Sequence, residues 1–268
     1  VTAASTGAPD FVSTLVASLG CQPVSAYSHI IAAGVALACA VPMVRLARGS
    51  RVRELSLTIY ASCVVTALFI SGIYHSCDRG TVERFYLQRL DHYAIWALIA
   101  GTFTALHGSM WRGFWRGGIL AIIWGYAAIG ITLQVLWFRI FSSTWGLVLY
   151  LGMGWIGTAS IVKLGRQIGF AKMWPFILSG VAFSTGAVLE SKRWLVLVDG
   201  WFGGHEVFHF AVVLGCALNW LFIRKLLIHH APFEPAFESN EVERTLITDE
   251  PDAVPAEAPA ASGGNVAA

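Results

Sequence analysis

Seven apolar stretches punctuate the chain at about 27–47, 55–75, 91–109, 117–137, 144–162, 173–190 and 205–228, separated by short polar connectors. Each approaches the ~20 residues that a helix needs to cross a ~30 Å hydrocarbon core. Inside a bilayer the backbone must satisfy its own hydrogen bonds, so stretches of this length are predicted to be helices. The short alternating segments of a β-barrel do not occur. The pattern predicts an all-α membrane protein, a seven-transmembrane-helix bundle occupying residues 27–230. Trp111, Trp115, Trp137, Trp174, Trp194 and Trp201 fall near stretch ends, where amphipathic rings favour the head-group region.

Both ends fall outside this pattern. Residues 1–26 contain Asp10 but no Lys or Arg; without the basic start of a secretory signal they read as a short polar lead-in. From Pro232 onward there are eight acidic residues, a single Arg (Arg244) and five of the nine prolines. Such a segment cannot bury enough apolar surface to order itself, so residues 231–268 read as an acidic, disordered tail.

Composition narrows the class. The chain is 56% hydrophobic and 13% charged, with a mean hydropathy of +0.64, too little charge to coat a soluble domain of 268 residues. Outside the tail, 17 Lys and Arg face 8 Asp and Glu, clustered at helix ends where anionic head groups lie. No basic stripe stands outside the membrane, which argues against a nucleic-acid partner. The side sharing the N-terminus carries Arg79, Arg84, Arg89, Arg139, Lys192 and Arg193. The opposite side carries eleven, Arg45, Arg48, Arg51 and Arg53 among them. The positive-inside rule then places the N-terminus outside and the tail in the cytoplasm.

Helix parity makes the polar residues inside the stretches converge. The second stretch ends, and the third and seventh begin, on one membrane side. These three places hold Ser71 and His75, then Asp91 and His92, then His205, Glu206 and His209. Ser71 and His75 share a helical face through their i, i+4 spacing, as do His205 and His209. Two helices can thus bring three imidazoles to one point, and three histidines plus water form a common catalytic zinc arrangement. His205-Glu-Val-Phe-His209 also matches His-Glu-x-x-His, in which Glu is the general base of a metalloprotease. That scaffold places its third ligand downstream, where only His229, His230 and tail carboxylates remain. In this setting Glu206 would orient a ligand or relay a proton. His107 lies roughly 24 Å from Asp91 at ~1.5 Å per residue, so it is expected at the opposite interface, with His229 and His230. Five cysteines show no Cys-x-x-Cys spacing. Cys39, Cys63 and Cys216 are expected to pack within stretches, while Cys21 and Cys77 share the histidine side, where an oxidising compartment would permit a disulfide.

Three ordered blocks carry a family resemblance: Ser71-Gly-Ile-Tyr-His75, then Leu90-Asp-His-Tyr-Ala-Ile95 with Ala100-Gly-Thr-Phe-Thr104, then His205-Glu-Val-Phe-His209. Together they resemble the signature blocks of the hemolysin III family, the bacterial branch of the progestin and adiponectin receptor superfamily, from about Tyr27 to His230. Tyr27-Ser-His29 is similar to the family's first-span histidine. The resemblance implies a seven-helix bundle in a bacterial plasma membrane, with Zn2+ held by His75, His205 and His209. It further implies that Ser71 and Asp91 stand behind the ligands or contact a water at the metal. Alkaline ceramidases, distant relatives with a similar site, hydrolyse a lipid amide.

These readings lead to an expected function: zinc-dependent hydrolysis of a lipid amide or ester at the membrane face. Asp91 would be the general base, and Ser71 a hydrogen-bond donor to water or oxyanion. A membrane lipid is the expected partner, and nothing in the chain specifies an oligomeric state. A receptor-like or structural zinc protein would use the same ligands, and the family name adds a cytolytic alternative.

Overall fold

The computed structural model describes residues 22–142, 144–192, 196–198 and 202–229. The acidic tail, nearly all of the lead-in, Cys21, Trp194, Trp201 and His230 lie outside the described residues. Nine α-helices and one pair of short strands are present among those described. α1 is Pro23–Arg45, α2 Arg51–Ser76, α3 Val82–Met110, α4 Gly117–Leu136 and α5 the single turn Phe138–Phe141. α6 (Thr144–Trp155) and α7 (Thr158–Ile168) follow, then α8 (Trp174–Lys192), strands β1 (Val196–Val198) and β2 (Phe202–Gly203), and α9 (Gly204–His229).

Six stretches are long and apolar enough to cross a membrane: Pro23–Arg45, Arg51–Ser76, Gly113–Leu136, Thr144–Ile168, Phe170–Lys192 and Gly204–His229. They coincide with six of the seven expected crossings. The remaining one, 91–109, falls within α3, which has 29 residues but is less apolar. The reason is its position. α3 packs against α2, α4, α6 and α9, and Phe103 to Met110 are buried without interruption. Facing protein rather than lipid, it can carry Thr104, His107 and Ser109, all buried; Thr104 and His107 find hydrogen-bond partners, whereas the Ser109 hydroxyl has none among the described residues.

Helix starts differ from the apolar pattern for local reasons. α1 begins at Pro23 rather than 27: proline suits the first helical turn, and the Gln22 N–H donates to the His75 carbonyl at 3.0 Å. α3 begins nine residues before Asp91, because Thr81 caps it by accepting from the Arg84 N–H at 3.3 Å. The expected single stretch 144–162 is two helices, broken after Trp155, where the Gly157 N–H bonds to the Gly154 carbonyl at 3.1 Å. Before α9 two short strands pair antiparallel, Val196 opposite Gly203 and Val198 opposite Phe202.

In lipid, helices associate through close packing and interhelical hydrogen bonds rather than by escaping water. α2 and α3 approach closely enough that a Cβ on Gly108 would collide with Ser56 and one on Gly101 would lie 2.8 Å from the Cys63 Cβ. Trp111, expected in the interfacial belt, is instead buried and donates to Gln167 Oε1 at 3.1 Å. Trp137 and Trp174 are exposed, as the belt requires. Cys63, Cys77, Cys39 and Cys216 are free thiols; Cys216 is buried as expected, but Cys39 faces outward.

Candidate metal centre

The bundle brings four histidines to one end. His75 occupies the last turn of α2, while His205 and His209 sit on the first turns of α9, one above the other. Ligand atoms of His75, His205 and His209 all lie within 4.8 Å of one another. The rings meet edge to face, with centroids 5.0 Å apart for His75–His205, 4.4 Å for His75–His209 and 4.5 Å for His205–His209. His75 and His209 are buried at 1% and 4% exposure. His205 is about one-third exposed and opens the cluster to the surface.

His29, from α1, is the fourth. It is 2% exposed, and its Nε2 lies 3.1 Å from His209 Nδ1. On the outer side of the cluster, His75 Nδ1 lies 2.8 Å from Gln22 Oε1, and Arg84 reaches the same oxygen at 2.6 Å. His205 Nδ1 lies 3.1 Å from Glu190 Oε1 at the end of α8. Gln22, Arg84 and Glu190 escaped the sequence reading. Their only sequence signal was weak: Arg84 stands on the side with fewer basic residues, and Glu190 is the lone acid of its helix.

The other expected residues divide. Ser71, one turn before His75, is buried, and its side chain lies beside the Asp91 carboxylate, which also feels His205. Ser71, Asp91 and the three histidines therefore share one end of the bundle. His92 turns away: its Nδ1 meets the Gln88 carbonyl at 2.8 Å, and its ring packs against Phe138. Glu206 reaches back to accept from the Gly203 N–H at 2.9 Å, closing the start of α9. The carboxylate that touches a cluster histidine is Glu190, fifteen positions before His205. His107 is remote, as expected, but it is fully buried rather than interfacial. Its Nδ1 bonds to the Trp115 carbonyl and its Nε2 lies 3.0 Å from Ser160 Oγ. A histidine with both nitrogens engaged ties α3 to α7 and to the turn before α4.

The donor set suits zinc. Imidazole is a regular zinc ligand at ~2.0–2.1 Å, and a tetrahedral pair of such ligands stands ~3.3 Å apart. His205 Nε2 and His209 Nε2 are 3.1 Å apart. Three neutral nitrogens without a protein carboxylate among them match a three-histidine site with one position for water or substrate.

These observations define a class: an α-helical integral membrane protein with a histidine cluster able to hold a metal at one end of its bundle. The chain belongs to the Haemolysin-III related family, whose profile matches residues 21–220. It is 28% identical over 173 residues to Hemolysin-3 of Bacillus cereus, covering 63% of this chain and 74% of that relative. It is also 28% identical over 142 residues to the Hemolysin-3 homolog of Bacillus subtilis (strain 168), covering 52% of this chain and just under two-thirds, 65%, of that relative.

Proposed function

We propose that the protein is a zinc-dependent hydrolase of a lipid amide or ester, acting at one face of a bacterial plasma membrane that its chain crosses seven times. The observation that carries this reading is the placement of Ser71 and Asp91 beside a gathered three-histidine set. Bound there, zinc would supply a Lewis acid that polarises a carbonyl and acidifies water. Asp91 is positioned to take the proton from an attacking water and pass it to the leaving group. Ser71 donates its single hydroxyl hydrogen to the Asp91 carboxylate and so holds that side chain for the proton transfer. The one-third exposure of His205 leaves a route for a head group, while the acyl chain stays among the helices. For the seventh crossing, 29 residues span about 43 Å at ~1.5 Å per residue. α3 also has to run from the histidine end, where α2 finishes, to the far end, where α4 starts.

A structural or receptor-like reading has its own support. α9 packs mainly on α8 and α1, so a metal shared by His75 and His209 would join α2 to a helix it otherwise meets sparingly. Hydrolysis separates the two. Zinc-replete protein in lipid nanodiscs, given ceramide-like amides and ester lipids, should release fatty acid detectable by mass spectrometry. Asp91→Asn should keep its zinc and lose at least 100-fold in rate, the usual scale for a general base. Absence of turnover in the wild type with every lipid class would leave the structural reading standing.

A further inference from the structure

Each of the three histidines is met from behind by a group that fixes which of its nitrogens carries the hydrogen. Arg84 has only N–H donors, and it lies 2.6 Å from Gln22 Oε1. The Gln22 atom facing it must be the carbonyl oxygen, because the rotated amide would set donor against donor. That oxygen is also 2.8 Å from His75 Nδ1. Nδ1 therefore donates, and Nε2 of His75 keeps its lone pair for the cluster. The same holds for His205, whose Nδ1 faces the Glu190 carboxylate, an acceptor, at 3.1 Å.

The third case runs through α1. Ser28 Oγ donates its hydrogen to the Ser25 carbonyl at 3.0 Å, so towards His29 Nδ1, 3.3 Å away, it presents lone pairs. His29 Nδ1 is then the donor and His29 Nε2 the acceptor. That acceptor meets His209 Nδ1 at 3.1 Å, which leaves His209 Nε2 unprotonated. All three Nε2 lone pairs are thus free for one centre. Those of His205 and His209, 3.1 Å apart, would repel without a cation between them.

We propose that His29 is a positioning residue, which accepts the Nδ1–H of His209 and thereby holds His209 Nε2 to the metal, as Gln22 and Glu190 do for His75 and His205. The proposal rests on the metal-site reading above. His29 is not a fourth ligand, because its Nε2 addresses the outer nitrogen of His209, and the gathered set comprises His75, His205 and His209. Partners of this kind orient the ring and raise ligand basicity, and removing one costs ~10–100-fold in metal affinity.

The test uses the full chain purified in detergent, with zinc affinity measured by competition against a chromophoric chelator and with the absorption bands of bound cobalt(II). His29→Phe removes the acceptor. It should still take up one metal per chain at saturation, bind ~10–100-fold more weakly and shift the cobalt bands. His29→Gln, which keeps an acceptor oxygen, should recover most of the affinity. Ser28→Ala leaves the ring in place and removes only the group behind it, and should weaken binding in the same direction by less. Unchanged affinity in His29→Phe would overturn the proposal, and so would complete metal loss equal to that of His75→Ala, which would make His29 a ligand. A wild type that binds neither zinc nor cobalt would remove the metal reading and this proposal together. A wild type that binds, with an indifferent His29→Phe, would remove this proposal alone.

Discussion

Trp96 Nε1 donates to Gln134 Oε1 at 2.8 Å, between two fully buried side chains on α3 and α4. The Gln134 amide nitrogen continues to the Phe141 carbonyl at 2.8 Å and to the Tyr150 hydroxyl at 2.7 Å, and Tyr150 donates to the His92 carbonyl at 3.0 Å. One amide on α4 therefore satisfies polar groups from three other helices, α3, α5 and α6, and fixes α3, which carries Asp91. Gln134→Leu should leave those partners unpaired and lower stability by ~1–3 kcal/mol. Thermal unfolding in detergent would show a depressed midpoint, whereas Thr132→Leu, on the exposed face of the same helix, should change little.

Metal content should follow the cluster. His75→Ala, His205→Ala and His209→Ala should each strip most zinc from the purified protein, since each removes one of three gathered donors. His107→Ala should retain zinc and lose stability instead, because its two nitrogens serve Trp115 and Ser160. Elemental analysis beside a melting curve would reveal the contrast. Equal zinc loss at His107 would refute the assignment.

Close approach of α2 and α3 gives a steric prediction. Gly108→Leu should force Ser56 aside and part the two helices. The expected outcome is poor accumulation of folded protein, read by fluorescence-detected size exclusion, with Gly154→Leu, which meets no neighbour, as the tolerant comparison.

Orientation follows the count of basic residues, eleven against six. A reporter fused after Lys225 should be active on the cytoplasmic side, with the histidine cluster outside. Activity confined to the external side would reverse the assignment.

Residues 234–268 should be dispensable for insertion and metal binding, given their acidic, proline-rich composition. A chain ending after Phe233 should hold as much zinc as the full chain; abolished stoichiometry would give the tail a structural part.

Apolar length and helix parity were enough to place His75, His205, His209, Ser71 and Asp91 at one end, because alternating crossings constrain which helix ends can meet. They said little about α3, since a hydropathy window measures affinity for lipid and α3 is surrounded by protein. The partners Gln22, Arg84 and Glu190 were illegible for another reason. Gln22 reaches His75 over 53 positions, Glu190 reaches His205 over 15, and Arg84 meets Gln22 over 62, each from a different element. No periodicity within one helix records such a meeting. The break after Trp155 was hidden because its glycines are as compatible with a continuous membrane helix as with a broken one.

The arrangement of the three clustered histidines along the chain has a consequence for biosynthesis. His205 follows His75 by 130 positions, which at ~5–20 residues per second takes a ribosome about 6 to 26 s. Throughout that interval the growing protein has only one nitrogen of the eventual trio, and a polypeptide stalled anywhere before Gly204 never acquires the others. The trio comes into being only when α9 reaches the end of α2 that carries His75, so its completion marks the moment at which the described helices have been threaded into the bilayer.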